Sequence, residues 1–210
     1  MLTLYFAPGS SSMAPHIALH EIGAAFKSCP ISFAQNENRT PEFLAISPEG
    51  KVPVLLVDQR PMTEVAAILY YLARRFPAAG LLPQHDIEAK AQAISWMSFI
   101  AATVHPARGR GLEHARQIYA AADRRLGPHD WAVGTYSIAD IHLFRLFWRF
   151  RNSLNPPDSE FPNLVRHYER MMARPAVRQT LEIEAAIGYA LPGQGQPERG
   201  PGLPPADPAW

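Results

Sequence analysis

The segment Phe6-Ala7-Pro8-Gly9-Ser10-Ser11-Ser12-Met13-Ala14-Pro15-His16-Ile17-Ala18-Leu19-His20-Glu21 constrains this chain more than any other. An apolar, strand-like run, Leu2–Phe6, enters a Pro-Gly turn. Three hydroxyls follow, and a helical pattern opens with Pro15 in its first turn. A helix N-terminus carries unpaired N–H groups and about half a positive charge. It stabilises anions, and a thiolate is one such anion. The sequence therefore brings a strand end, a polar loop and a helix start to one point.

The pattern around this junction sorts the chain into two parts. Over residues 1–76, strand-like runs at Leu2–Phe6, Lys27–Phe33, Val52–Val57 and Pro61–Thr63 alternate with helical patterns at Pro15–Ile22 and Glu64–Phe76. The order β-α-β, then β-β-α, predicts an α/β layer. Residues 77–88 are rich in Pro, Ala and Gly at their start and read as a linker. Residues 89–190 read as helical throughout. Ile94, Met97, Ala101 and Val104 fall on one stripe of the first helix. Ser137 and Asp140 have the spacing of a capping box for a helix at Ile138–Phe150 that is apolar on most sides. Pro162 and Pro175 stand where helices begin. The Pro/Gly-rich residues 191–210 read as a tail, either extended or strapped over the surface.

Composition excludes several roles. The net charge of +1 gives no general attraction to nucleic acid or membrane. Cys29 is the only cysteine, so no internal disulfide forms. The chain opens on no targeting segment and has no apolar run of membrane-spanning length, which predicts a cytoplasmic protein. His16, His142 and His167 lack metal-ligand spacing, so no metal is expected. The arginines of the second half, Arg108, Arg110, Arg124, Arg125, Arg145, Arg149 and Arg151, read for the most part as solvated helix faces.

The segment from Phe6 to Glu21 resembles the N-terminus of the bacterial beta-class glutathione transferases. Three further blocks resemble the same family. Thr40–Leu55 is similar to its asparagine-proline-x-glycine-x-valine-proline passage. Thr63–Ala73 is similar to its glutathione-anchoring turn and helix, and Tyr136–Asp140 to the capping box of its C-terminal domain. The resemblance implies a thioredoxin-like N-terminal domain followed by an all-α helical bundle. It also implies a homodimer, with glutathione as a cosubstrate rather than a prosthetic group.

Several positions depart from the family pattern. Ser11 stands where the beta class has its cysteine, and Phe6 where it has a tyrosine, with Tyr5 adjacent. Val65 replaces the serine after the anchoring glutamate. Pro106 replaces the lysine that follows the second-domain histidine, which is His105. The resemblance implies that Glu64 and the backbone at Val65 grip the γ-glutamyl end. It implies a cis Val52–Pro53 bond that exposes Val52 to the tripeptide's middle. A hydroxyl donated to the sulfur would lower its pKa from the usual thiol value near 8.5. Ser11 matches the family position for this role, Ser10 is its rival, and Ser12 equally fits a helix cap. His105 and Ser98 match second-domain positions that line the site.

The implied activity is thiolate attack on a small apolar electrophile. Two rivals stand beside it: a transferase-like protein that binds glutathione or apolar ligands with little turnover, and a glutathione-dependent isomerase. Disulfide reduction is disfavoured because position 11 is not a cysteine.

Overall fold

The computed structural model describes residues 1–189; the predicted tail at 191–210 lies outside them. Strand β1 (Leu2–Phe6) forms because apolar residues alternate along a short run, and Leu4 and Phe6 are fully buried. It pairs in parallel with β2 (Phe26–Pro30), Leu2 opposite Phe26 and Tyr5 opposite Cys29. On its other side it pairs antiparallel with β3 (Val54–Val57), Leu4 opposite Leu55. β4 (Arg60–Met62) closes the sheet in the order β2-β1-β3-β4. β3 begins two residues later than its pattern predicts, after the cis Val52–Pro53 bond.

Helix α1 (Met13–Glu21) starts at Met13, two residues before its predicted start. Every residue from Met13 to Leu19 is buried, because α1 is covered on one side by the sheet and on the other by helices of both parts. A four-residue helix, α2 (Pro41–Leu44), is capped by Thr40, whose Oγ1 accepts the Phe43 N–H at 3.3 Å. Helix α3 (Val65–Arg75) lays Ile68, Leu69 and Leu72 into the same core as α1. Leu81 and Leu82 of the predicted linker are also buried there, and Leu81 C=O accepts the Ile138 N–H at 2.9 Å.

The helical part comprises α4 (Ile87–Phe99), α5 (Leu112–Leu126), α6 (Ile138–Leu154), α7 (Pro162–Met172) and α8 (Pro175–Ile187). α6 is its axis, buried from Ile138 to Trp148. Its N-terminus has the predicted capping box: Ser137 Oγ accepts the Ala139 N–H, and Asp140 accepts the Ser137 N–H at 2.9 Å. Prolines open α7 and α8, where a missing N–H costs nothing.

α4 differs from its pattern in two ways. It widens into π turns at Ile100–Val104 and tightens to 3₁₀ at His105–Arg110, so the predicted single helix to His105 is broken. Its buried face carries Ala93, Trp96, Met97, Ile100 and Val104, whereas Ile94 and Ala101 of the predicted stripe are exposed. Breaks of this kind in a helical ladder are commonly found at functional sites.

Candidate active site

A cavity of about 560 Å³ opens between the α/β and helical parts. One wall is built by three turns of the α/β layer. The Pro8–Ser12 loop brings Ser11, the loop before β3 brings Ser47 to Pro53, and the β4–α3 junction brings Thr63 to Ala66. The 3₁₀ segment contributes His105 and Arg108 to the opposite wall, and α6 contributes His142, Arg145 and Arg149.

The serine loop is ordered by its own hydroxyls. Ser12 Oγ accepts the Ala7 N–H at 3.0 Å and lies 2.6 Å from Ser10 Oγ. Ser12 makes no side-chain cap to α1, which removes the capping role considered for it. Ser10 is turned into the loop and is not part of the cavity lining. Of the three serines only Ser11 lines the cavity, where its Oγ donates to the Val52 carbonyl at 3.2 Å.

Val52 is presented by a rigid loop. Ser47 Oγ donates to the Lys51 carbonyl at 2.9 Å and accepts the Lys51 N–H at 3.1 Å. Gly50 adopts φ +68°, and a Cβ there would meet the Asn38 carbonyl at 2.7 Å, so the turn admits glycine alone. The cis bond that the resemblance implied for Val52–Pro53 is present. The chain then turns at Glu64, a non-glycine residue at φ +67°, a conformation that costs about 1–3 kcal/mol. Helix α3 begins directly after that turn, and Thr63, Glu64, Val65 and Ala66 all line the cavity.

The opposite wall is where sequence reading fell short. Arg145 is not on a solvated face; it is 1% exposed. Its Nε donates to the Ser10 carbonyl at 2.8 Å, and Arg149 Nη1 donates to the Gly9 carbonyl at 2.7 Å. Burial, reinforced by Arg149, pulls the Arg145 pKa down to about 9. His105 lines the cavity, and burial with the charges of Arg145 and Arg149 holds it at about 4. Ser98 is exposed on α4 and is not among the residues lining the cavity of its own chain. Arg110 is also exposed, while Arg108 lines the cavity. The available signal for Arg145 and Arg149 was the presence of cations at i and i+4 in an otherwise apolar helix.

Cys29 lies on the edge strand β2, outside the cavity lining. Among the described residues there is no group of three His, Cys, Asp or Glu side chains arranged to hold a metal. No helix among them is long and apolar enough to cross a membrane.

Residues 1–74 match the glutathione S-transferase N-terminal domain, and residues 89–175 match the C-terminal domain. A Xanthomonas campestris protein named glutathione S-transferase GST-4.5 is 30% identical over 205 residues, covering 87% of this chain and 98% of that one. A sphingomonad glutathione S-transferase solved with glutathione superimposes with a TM-score of 0.79 at 31% identity, over 87% of this chain and 98% of the other. A bacterial beta-class transferase from Sphingomonas chungbukensis gives 0.75 at 32% identity, with the same coverages. The chain belongs to the glutathione S-transferase family.

Proposed function

We propose that this chain is a glutathione transferase of beta-class type in which Ser11 takes the place of the family cysteine. Glutathione would lie along the α/β wall. Its γ-glutamyl ammonium would meet the Glu64 carboxylate, and its α-carboxylate the N–H groups that open α3, beginning at Val65. Its cysteinyl backbone would pair with Val52 beside cis Pro53, strand-fashion at an open edge. The sulfur would then sit at Ser11.

One observation carries this reading: the Ser11 hydroxyl and the Val52 carbonyl are 3.2 Å apart on the cavity wall. The two groups required by the middle of the tripeptide therefore share one site. On binding, Ser11 Oγ would turn from that carbonyl to donate to the sulfur, favouring the thiolate. The thiol proton passes to solvent. The thiolate forms a C–S bond to the electrophile as a leaving group departs with its electron pair. Positioning and a lowered thiol pKa supply the rate enhancement. The electrophile would lie against the helical wall, where Val104, Leu146 and Phe150 provide apolar surface. A homodimer in the cytoplasm belongs to the same proposal, on the strength of the family.

Calorimetry with glutathione, run beside a conjugation assay with 1-chloro-2,4-dinitrobenzene, tests it. Binding with turnover supports the transferase. Binding without turnover supports a ligand-binding protein instead, and absence of binding refutes both.

A further inference from the structure

The helical wall holds more positive charge than chemistry at Ser11 requires. Arg108, Arg145 and Arg149 all line it, and no aspartate or glutamate does so among the described residues. The nearest carboxylate behind the loop, Glu184, is already engaged: it accepts the Gly9 N–H at 2.7 Å and lies 3.0 Å from His16 Nδ1. Two further groups are buried without a hydrogen-bond partner among the described residues. One is Arg108 Nη1, and the other is the His142 imidazole, at both of its nitrogens. His142 is 1% exposed and lines the cavity.

A buried polar group left unpaired is costly, so two such groups on one cavity wall suit a polar ligand. Burial, with the cationic field second to it, explains the state of the histidines. Burial, with His105 and Arg145 nearby, keeps His142 at about 3, so it is a neutral ring with one donor and one acceptor nitrogen. Charge on the helical wall therefore resides on the guanidinium groups, while Glu49, Lys51 and Glu64 line the facing wall. Burial and mutual repulsion also lower Arg149, to about 10. An anion set among these groups would relieve that repulsion and use the unpaired donors together.

We propose that the electrophile subsite takes a carboxylate, so that the second substrate is an apolar electrophile with an anionic group seated by Arg108 and His142. This rests on the placement of glutathione given above. Arg145 and Arg149 contact the carbonyls of Ser10 and Gly9, immediately before Ser11. The charged wall is thus at the sulfur, and the site proposed for the glutamyl carboxylate is across the cavity at α3. The glycine carboxylate of glutathione has the same chemistry and is the competing source.

The test titrates 4-nitrobenzoate and 4-nitrobenzamide by calorimetry into the full chain, both free and saturated with glutathione. The proposal expects the acid to bind the glutathione-loaded protein at least tenfold more tightly than the amide. Arg108→Gln should bring that ratio close to one with unchanged thermal melting, and Arg108→Lys should retain part of the preference. Equal affinities for acid and amide would overturn the proposal. Exclusion of the acid by bound glutathione would also overturn it, assigning the charges to the glycine carboxylate. A chain that ignores glutathione yet prefers the acid would refute the transferase reading and keep the anion subsite.

Discussion

Glu184 accepts the backbone N–H of Gly9 at 2.7 Å, joining the last described helix to the loop that carries Ser11. The contact spans 175 residues of sequence and is fully buried on the Glu184 side. With Arg149 on the Gly9 carbonyl and Arg145 on that of Ser10, the helical part holds the serine loop through its backbone. The position of the Ser11 hydroxyl is thereby tied to the docking of the two parts.

Glu184→Ala removes the partner of the Gly9 N–H and of His16 Nδ1 at once. Leaving buried groups unpaired should lower stability by about 2–4 kcal/mol in denaturant unfolding. Glu184→Gln keeps an acceptor for Gly9 and should lose less. Equal losses for both variants would show that the carboxylate charge matters more than the loop contact.

Acid should destabilise the chain through its histidines. Burial is the main cause that lowers His20 to about 4, His105 to about 4 and His142 to about 3, from the ordinary 6.5. The unfolded chain binds these protons first as pH falls. Stability is therefore fully present above about pH 6.5 and declines towards pH 4, by up to about 1.4 kcal/mol per pH unit for each of His105 and His142 and by less for the half-buried, solvent-screened His20. His142→Asn should flatten that decline by one proton's worth. An unchanged slope would contradict the buried, neutral state of His142.

Glu64→Gln should weaken glutathione binding by about 1–3 kcal/mol, the worth of a charge-assisted hydrogen bond. Isothermal calorimetry measures this directly. An unaltered affinity would remove the glutamyl end of the ligand from α3.

Cys29→Ala should leave conjugation within a small factor of the parent chain. Its side chain is on edge strand β2 opposite Tyr5, outside the cavity lining. A hundredfold loss with the fold intact by circular dichroism would sink this.

What the sequence revealed follows the range of the interactions. The strand–loop–helix junction and the Ser137–Asp140 box were legible because each is specified within a few residues. Half of the predicted α4 stripe was misread: Met97 and Val104 are buried but Ile94 and Ala101 are exposed, because two apolar stripes overlap there and only tertiary packing chooses between them. Arg145 and Arg149 were missed as loop anchors because their partners are 135 and 140 residues away. The placement of Ser11 in the cavity lining, with Ser10 and Ser12 hydrogen-bonded to one another in the loop, is visible only in three dimensions, because the sequence offers three adjacent hydroxyls of the same chemistry.

In the proposed complex, Ser11 holds the sulfur of bound glutathione as a thiolate. The measurement that tests it is thiolate absorbance of the glutathione complex titrated against pH. Ionisation is expected below the pH at which free glutathione ionises, with Ser11→Ala raising the midpoint; one unit corresponds to about 1.4 kcal/mol of lost thiolate stabilisation. A midpoint unmoved by Ser11→Ala, or shifted by Ser10→Ala instead, would contradict it.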